Sequence, residues 1–244
     1  LQLEIIGRVG DIGMAIVRCI VFRIWIQWKN YHSPAVFYTS GIGFFEWVYE
    51  HAYINKEKAA EFGDPDIIRF LVSKNQKHFI CNGLAKGGHL ELLKWAVSKR
   101  CPLDHRTCNI AAGEGHLAIV KWLRTQDCEW NEMTCAWAAL GGHLNVLKWL
   151  KNTGCPWNEW TCSSAAKSGC LDILMWAREN GCPWNECTCV NAALGGHLEV
   201  LKWAIANGCP WDYETCSGAV AGGHLEVLKW ARANGCNWNG RTRN

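Results

Sequence analysis

Small, apolar and polar positions return along this chain on a fixed beat of 27 residues. Successive blocks open at Cys81, Cys108, Cys135, Cys162, Cys189 and Cys216. Inside each block two apolar runs of helical spacing are separated by glycine. In one copy Thr107 precedes the run Cys108 to Ala112, Gly115 interrupts it, and Leu117 to Arg124 makes a second run. A period of about 20–50 residues marks a solenoid, whose stacked units share a continuous core. Each run is shorter than the ~12–15 residues at which an isolated helix becomes even marginal in water, so the units must hold one another by stacking. The pattern predicts, per unit, a helix, a tight turn, a second helix and a short loop. Thr107 and its equivalents are expected to cap the first helix, the hydroxyl accepting from free N–H groups. The second helix should end at Asn180-Gly181, Asn207-Gly208 and Asn234-Gly235, where glycine supplies a left-handed C-cap. Pro183 and Pro210 follow two residues on and stop any continuation.

The columns of the repeat separate scaffold from surface. At 100° per residue, Cys108, Ala111 and Ala112 fall on one side of the first helix, and Asn109, Ile110 and Gly113 on the other. The first three columns hold Cys, then Ala or Leu, then Ala or Val in every copy. The column of Ile110 reads Gly83, Ile110, Trp137, Ser164, Asn191, Gly218. Small constant residues let neighbouring helices approach closely, and the changing side is expected to face out.

Tryptophan fills two further columns. Trp95, Trp122, Trp149, Trp176, Trp203 and Trp230 stand in the second helix, and Trp130, Trp157, Trp184, Trp211 and Trp238 in the loop. A fully buried Trp removes roughly 150–250 Å² from water, on the order of 4–6 kcal/mol gross. Both columns are read as core between repeats, with an exposed aromatic stripe as the alternative. Lys94, Lys121, Lys148, Lys202 and Lys229 form a solvated column. Glu91–Lys94, Glu199–Lys202 and Glu226–Lys229 should pair at i,i+3.

The segments Thr134-Cys-Ala-Trp-Ala-Ala139, Gly142-His143-Leu144 and Gly154-Cys155 resemble the ankyrin repeat. That family's pattern runs Thr-Pro-Leu-His-x-Ala-Ala-x-x-Gly-His, then an apolar helix and Gly-Ala-Asp. Its period is about 33 residues. Here one residue is lost between the Thr and the Ala pair, and five between Gly-Cys and the next Thr, where ankyrin repeats carry a β-hairpin finger. Asn109 and its equivalents replace the family's first His. The resemblance covers residues 79–242 and implies an all-α, ankyrin-like solenoid of stacked helix-turn-helix repeats with trimmed fingers. It also implies protein–protein binding, without naming the partner. Arrays of this Gly-His-Leu-Glu-Val-Leu-Lys-Trp and Gly-Cys-Pro-Trp type are similar to expanded ankyrin-like families of large DNA viruses and some single-celled eukaryotes.

The front of the chain departs from the regular period. Residues 35–78 carry two degenerate copies, with Phe70 and Trp47 in the tryptophan column. Residues 1–34 do not fit the repeat. Leu3-Glu-Ile-Ile-Gly-Arg-Val9, Asp11-Ile12, Ala15, Val17 and Cys19 resemble an F-box, a short helical motif that docks a substrate receptor onto a ubiquitin ligase. The opening Leu-Pro of that motif is missing, and a pair of capping helices is the other reading. Leu1 is not a start methionine, and Thr242 would open another helix pair of which 243–244 are the start. Both ends are therefore expected to continue.

Composition narrows the function classes. The chain has 244 residues, a net charge of +3 and 49% hydrophobic residues. That is ample for a core and argues for neither nucleic acid nor an anionic membrane as partner. No apolar run approaches the ~20 residues of a membrane span. Of the 15 cysteines, most are columns of the repeat, the second column being Cys101, Cys128, Cys155, Cys182, Cys209 and Cys236. The resemblance places these in the buried Ala slot of Gly-Ala-Asp. Reduced, buried thiols are expected, although a disulfide of the Cys101–Cys108 type is geometrically open. The spacing from Cys101 to Cys108 is not that of structural zinc. The His column (His89, His116, His143, His197, His224) starts the second helix, roughly 12 Å from both Cys columns. Cys170 takes the His slot in one copy. No Asn-x-Ser/Thr acceptor occurs, which favours an intracellular home, the cytoplasm, or the host cytoplasm for a viral chain. No nucleophile–base pair, paired carboxylates or phosphate loop stands out, so no catalytic residue, metal or cofactor is expected.

The functional expectation is a non-enzymatic binding scaffold. Its recognition face should comprise Arg106, Met133, Trp160, Cys187, Glu214 and Arg241 before each first helix, with Ile110, Trp137, Leu140, Lys167 and Asn191 within them. Met133, Trp137 and Trp160 are the sharpest candidates, because aromatics in variable columns read as hot spots. Two other classes stand beside it: a ubiquitin-ligase adaptor acting through residues 1–34, and a metal- or redox-active Cys/His protein.

Overall fold

A computed structural model describes residues 56–77 and 79–236, and divides the chain into two compact units, Leu1–Leu103 and Asp104–Asn244. Among the described residues every regular element is a helix. None is long and apolar enough to cross a membrane. Residues 1–34, with their F-box-like pattern, and the first degenerate copy lie outside the described residues, as do Trp238, Arg241 and Thr242.

In the first unit, α1 (Lys56–Glu61) and α2 (Pro65–Ser73) precede α3 (Ile80–Gly87) and α4 (Leu90–Ser98). Asp64 caps α2 by accepting from the N–H groups of Asp66 and Ile67 at 2.9 and 3.1 Å, and Pro65 stands at the first helical position, where its missing N–H costs nothing. Ala59, Ala60, Ile68, Leu71, Ile80, Leu84, Ala85, Leu93 and Ala96 are buried. Phe70, in the tryptophan column, is buried as well. Lys58 and Lys86 converge on the Glu61 carboxylate at 2.9 and 3.4 Å, the second pair tying α3 to α1. Burial pushes that carboxyl up, but the Lys58 hydrogen bond and the two lysine charges together take it below its ordinary value.

The second unit repeats one motif. Its first helices are α5 (His105–Gly113), α7 (Glu132–Leu140), α9 (Glu159–Lys167), α11 (Glu186–Leu194) and α13 (Tyr213–Ala221). Its second helices are α6 (Leu117–Thr125), α8 (Leu144–Asn152), α10 (Leu171–Glu179), α12 (Leu198–Ala206) and α14 (Leu225–Ala233). Each first helix packs against the first helix of the next repeat and against its own second helix. The Ala pairs Ala111–Ala112, Ala138–Ala139, Ala165–Ala166 and Ala192–Ala193 are buried between first helices, as their constancy predicts. Ile119, Leu123, Leu147, Leu150, Ile173, Leu174 and Leu201 fill the layer beneath.

The first helix starts earlier than expected, and its cap is a different residue. Asn131, Asn158, Asn185 and Asp212 accept from the N–H two residues on, at 3.1, 3.0, 3.1 and 2.9 Å. Asp104 accepts from Thr107 N–H at 3.1 Å. The threonine is the third helical residue and is buried. Thr134 Oγ1 accepts from the Asn131 N–H at 3.2 Å, completing a capping box, and donates to Asn109 Oδ1 of the preceding repeat at 2.6 Å. That bond also corrects the reading of Asn109. It is buried, not outward-facing, because the next repeat's first helix covers that side of α5.

The turns follow the glycine pattern. Gly115, Gly142, Gly169, Gly196 and Gly223 all have φ between 73° and 80°, the left-handed region glycine reaches without penalty. The His column does more than fix its own turn. A Cβ on Gly115 would come within 2.6 Å of the His143 ring of the next repeat. His197 Nε2 lies 3.0 Å from the Lys167 carbonyl of the repeat before, and His89 Nε2 lies 2.9 Å from that of Glu61. The second helices end as expected, at a left-handed Gly154, Gly181, Gly208 or Gly235. Where the glycine is missing, Arg100 and Asp127 hold the same conformation at φ 61° and 54°.

Candidate binding face

The outer positions of the first helices carry the predicted recognition residues. On α7, Met133, Trp137 and Leu140 follow one another at i, i+4 and i+7, so they share one face. All three are exposed, Trp137 by 40%. On α9, which packs beside α7, Trp160 is 56% exposed and Lys167 is exposed on the same stripe. Trp137 rests against Gly113 of α5, where a Cβ would come within 3.0 Å of the indole. That bare glycine therefore gives the ring a seat while 40% of the residue stays in water.

The stripe fades away from this centre. Arg106, Cys187 and Glu214 are exposed, but Ile110 and Asn191 are half-buried and Gly218 in their column is buried. The structure thus groups Met133, Trp137, Leu140, Trp160 and Lys167, and covers Ile110 and Asn191 more than their variability implied. Exposed apolar side chains outside the expected set are Met175, Tyr213, Val220 and Leu225 in this unit and Phe79 in the first. Met175 replaces the lysine of its column and Tyr213 stands among polar residues in its own, so both were detectable as departures. Val220 was not, since its column is alanine elsewhere and buried. It is exposed because no further first helix packs over α13 among the described residues.

The tryptophan columns form an edge and not a dry core, which corrects the expectation. Both are half-buried among the described residues of the second unit. Each loop Trp meets the helical Trp of the next repeat edge-on: Trp130–Trp149 at 6.0 Å, Trp157–Trp176 at 5.9 Å and Trp184–Trp203 at 5.9 Å between centroids. Trp211–Trp230 is tilted, at 6.4 Å. A cation from the preceding second helix lies on the loop ring: Arg124 on Trp130 at 4.4 Å, Lys151 on Trp157 at 4.1 Å, Arg178 on Trp184 at 4.1 Å. This staple leaves the rings little free face. The lysine column pairs as expected, Glu91–Lys94 at 2.7 Å, Glu199–Lys202 at 2.8 Å and Glu226–Lys229 at 2.9 Å.

The two cysteine columns meet within one repeat, twenty residues apart, and not across the shorter Cys101–Cys108 spacing. Cys108 donates to Cys128, Sγ to Sγ 3.0 Å. Cys216 and Cys236 lie close enough to form a disulfide, with their Cα atoms 6.5 Å apart. The other column cysteines are free and buried. The hydrogen bond with Cys128, followed by burial, pushes the Cys108 thiol up, while the same bond draws the Cys128 thiol below its ordinary value. Cys162 and Cys182 divide in the same way, as do Cys189 and Cys209. Among the described residues no three His, Cys, Asp or Glu side chains gather as metal ligands would. Cys170 takes the histidine's place over the turn, its Sγ 3.3 Å from where a Gly142 Cβ would stand.

Comparison with known proteins agrees with this architecture. Residues 162–205 match the family model for ankyrin repeats in many copies. The crystal structure of the human ASB11 ankyrin repeat domain is similar, at 16% identity and a TM-score of 0.50, over 64% of this chain and 84% of that one. At that identity the likeness speaks for the fold. No curated protein matches the chain. The stacked helix pairs with their left-handed glycine turns have the ankyrin-repeat fold, and residues 162–205 match the ankyrin-repeat family model, here within an array of 27-residue period.

Proposed function

We propose that this chain is a non-enzymatic scaffold that binds a protein partner through the outer stripe of α7 and α9. The observation that carries the reading is the exposure of Met133, Trp137, Leu140 and Trp160 on adjacent helices of a rigid stack. Burying exposed indole and thioether surface is favourable, and Trp is among the side chains that dominate protein interfaces. Lys167 and Arg106 at the margin suit a polar rim. The buried thiols and absent glycosylation acceptors support a cytoplasmic setting.

The test is a paired capture experiment. Partners recovered by the full chain are compared with those recovered by a Trp137→Ala/Trp160→Ala double variant, with Glu199→Ala/Glu226→Ala as the control on the second helices. Loss of a partner in the first variant alone, with an unchanged unfolding midpoint, is the expected result. Equal recovery by all three, or a large fall in the midpoint for the tryptophan variant, would reject the face.

A further inference from the structure

We propose that the paired cysteine columns are a modification site, at which each repeat closes its own disulfide by exchange with a small-molecule disulfide of the glutathione class. Geometry carries the proposal. Six pairs recur in one register: Cys81 with Cys101, Cys108 with Cys128, Cys135 with Cys155, Cys162 with Cys182, Cys189 with Cys209, and Cys216 with Cys236. The last has its Cα atoms 6.5 Å apart, inside the range of about 4.4–6.8 Å that a disulfide spans. The repeat presents the same backbone to the other pairs, and Cys108 and Cys128 already touch at 3.0 Å.

A second observation points to the same chemistry. Thr161 and Thr188 each bury a hydroxyl that makes no hydrogen bond of regular geometry. The Thr161 hydroxyl lies close enough to Cys182 to favour its thiolate, after the larger contribution from Cys162, and Thr188 does the same for Cys209 after Cys189. A buried donor without a regular partner costs free energy unless something accepts from it, and a thiolate on the loop cysteine is such an acceptor.

The two cysteines of a pair have different roles. In the pairs Cys108–Cys128 and Cys189–Cys209 the loop cysteine is drawn toward the thiolate and is the less covered of the two, Cys128 at 5% against Cys108 at 1% and Cys209 at 3% against Cys189 at 0%. Local opening of the loop admits the reagent. The loop thiolate attacks one sulfur of the small disulfide, the reagent's S–S bond breaks, and one small thiolate leaves. The helix cysteine then gives up its proton and attacks the loop sulfur of the mixed disulfide, and the second small thiolate leaves. The protein dithiol loses two electrons and two protons, and the reagent becomes two thiols. Cys162 and Cys182, both fully covered, should close last.

The full chain, freshly reduced and freed of reductant, is incubated with oxidised glutathione under native conditions. Remaining thiols are then alkylated, and the digest is mapped by mass spectrometry. Crosslinked peptides joining positions twenty residues apart within a repeat are expected, each pair lighter by two hydrogens, together with a rise in the unfolding midpoint. Recovery of all column thiols as alkylated cysteine, adducts confined to the exposed Cys187, or crosslinks between repeats would overturn the proposal. The roles are tested separately. Cys108→Ser should trap a stable glutathione adduct on Cys128, and Cys128→Ser should leave Cys108 unmodified. Equal trapping on Cys108 would overturn the assigned order of attack. The map of the unsubstituted chain is read whether or not these variants fold, and it is independent of any binding partner.

Discussion

Tryptophan meets two fates within one repeat of this array. Trp157 and Trp176 face each other at 5.9 Å with Lys151 over the first ring, whereas Trp160, three residues after Trp157, stands 56% exposed on α9. The difference lies in the neighbours. The second-helix column recurs in all six regular repeats and the loop column in all but the first, where Leu103 stands, so loop and helical rings meet at 5.9–6.4 Å. The first-helix columns do not recur: Trp137 is flanked in its column by Ile110 and Ser164, and Trp160 by Met133 and Cys187, so neither has an indole at the equivalent position of the adjacent helix. A regular column thus stabilises the stack, and an irregular one leaves its surface for something outside it.

Substitutions can break this contrast in order of expected size. Leu147→Ala, in the fully buried layer beneath both sets, should cost about 3 kcal/mol of stability by urea denaturation. Trp157→Ala, which removes the stapled ring together with its cation and its edge-on partner, should cost about 2 kcal/mol. A loss as small as that of Trp160→Ala would erase the distinction between the columns. Asp127→Gly should instead stabilise the array by about 1 kcal/mol, because a non-glycine residue holds a left-handed φ of 54° there. Trp137→Ala and Trp160→Ala should each change stability by less than about 0.5 kcal/mol, while partner binding falls. The smallest effect belongs to the solvated edge. Lys202→Ala, which breaks the exposed 2.8 Å pair with Glu199, should cost about 0.3 kcal/mol at low salt and less at high salt.

Much of the fold was legible before any coordinates. The 27-residue beat, the Ala pairs and the Asn-Gly helix ends are local signals, and each has a local cause: helical spacing, close approach of helices, and glycine's access to a left-handed backbone. The helix start was misread because Thr and Asn are both good caps. Only the residue that takes the extended cap conformation does the capping, and here that is Asn131, with Thr134 turned inward to Asn109. The site was half legible. Variability marked Met133, Trp137 and Trp160, but it also marked Ile110 and Asn191, which the adjacent helices half cover.

The repeat period, the helix pairs, their turns and the identity of the small packing columns follow from the order of residues alone, because each depends on neighbours a few positions away. Which cysteines meet, how far each indole is covered, and which variable positions remain in water depend on side chains twenty or more residues distant. Those separations close only in the folded chain, within one repeat for the cysteines and between stacked repeats for the indoles, so spacing along the chain carries no measure of them. Cys108 shows both halves: its column was plain from its period, and its partner Cys128, 3.0 Å away, was settled by the path of the loop back to the start of its own first helix.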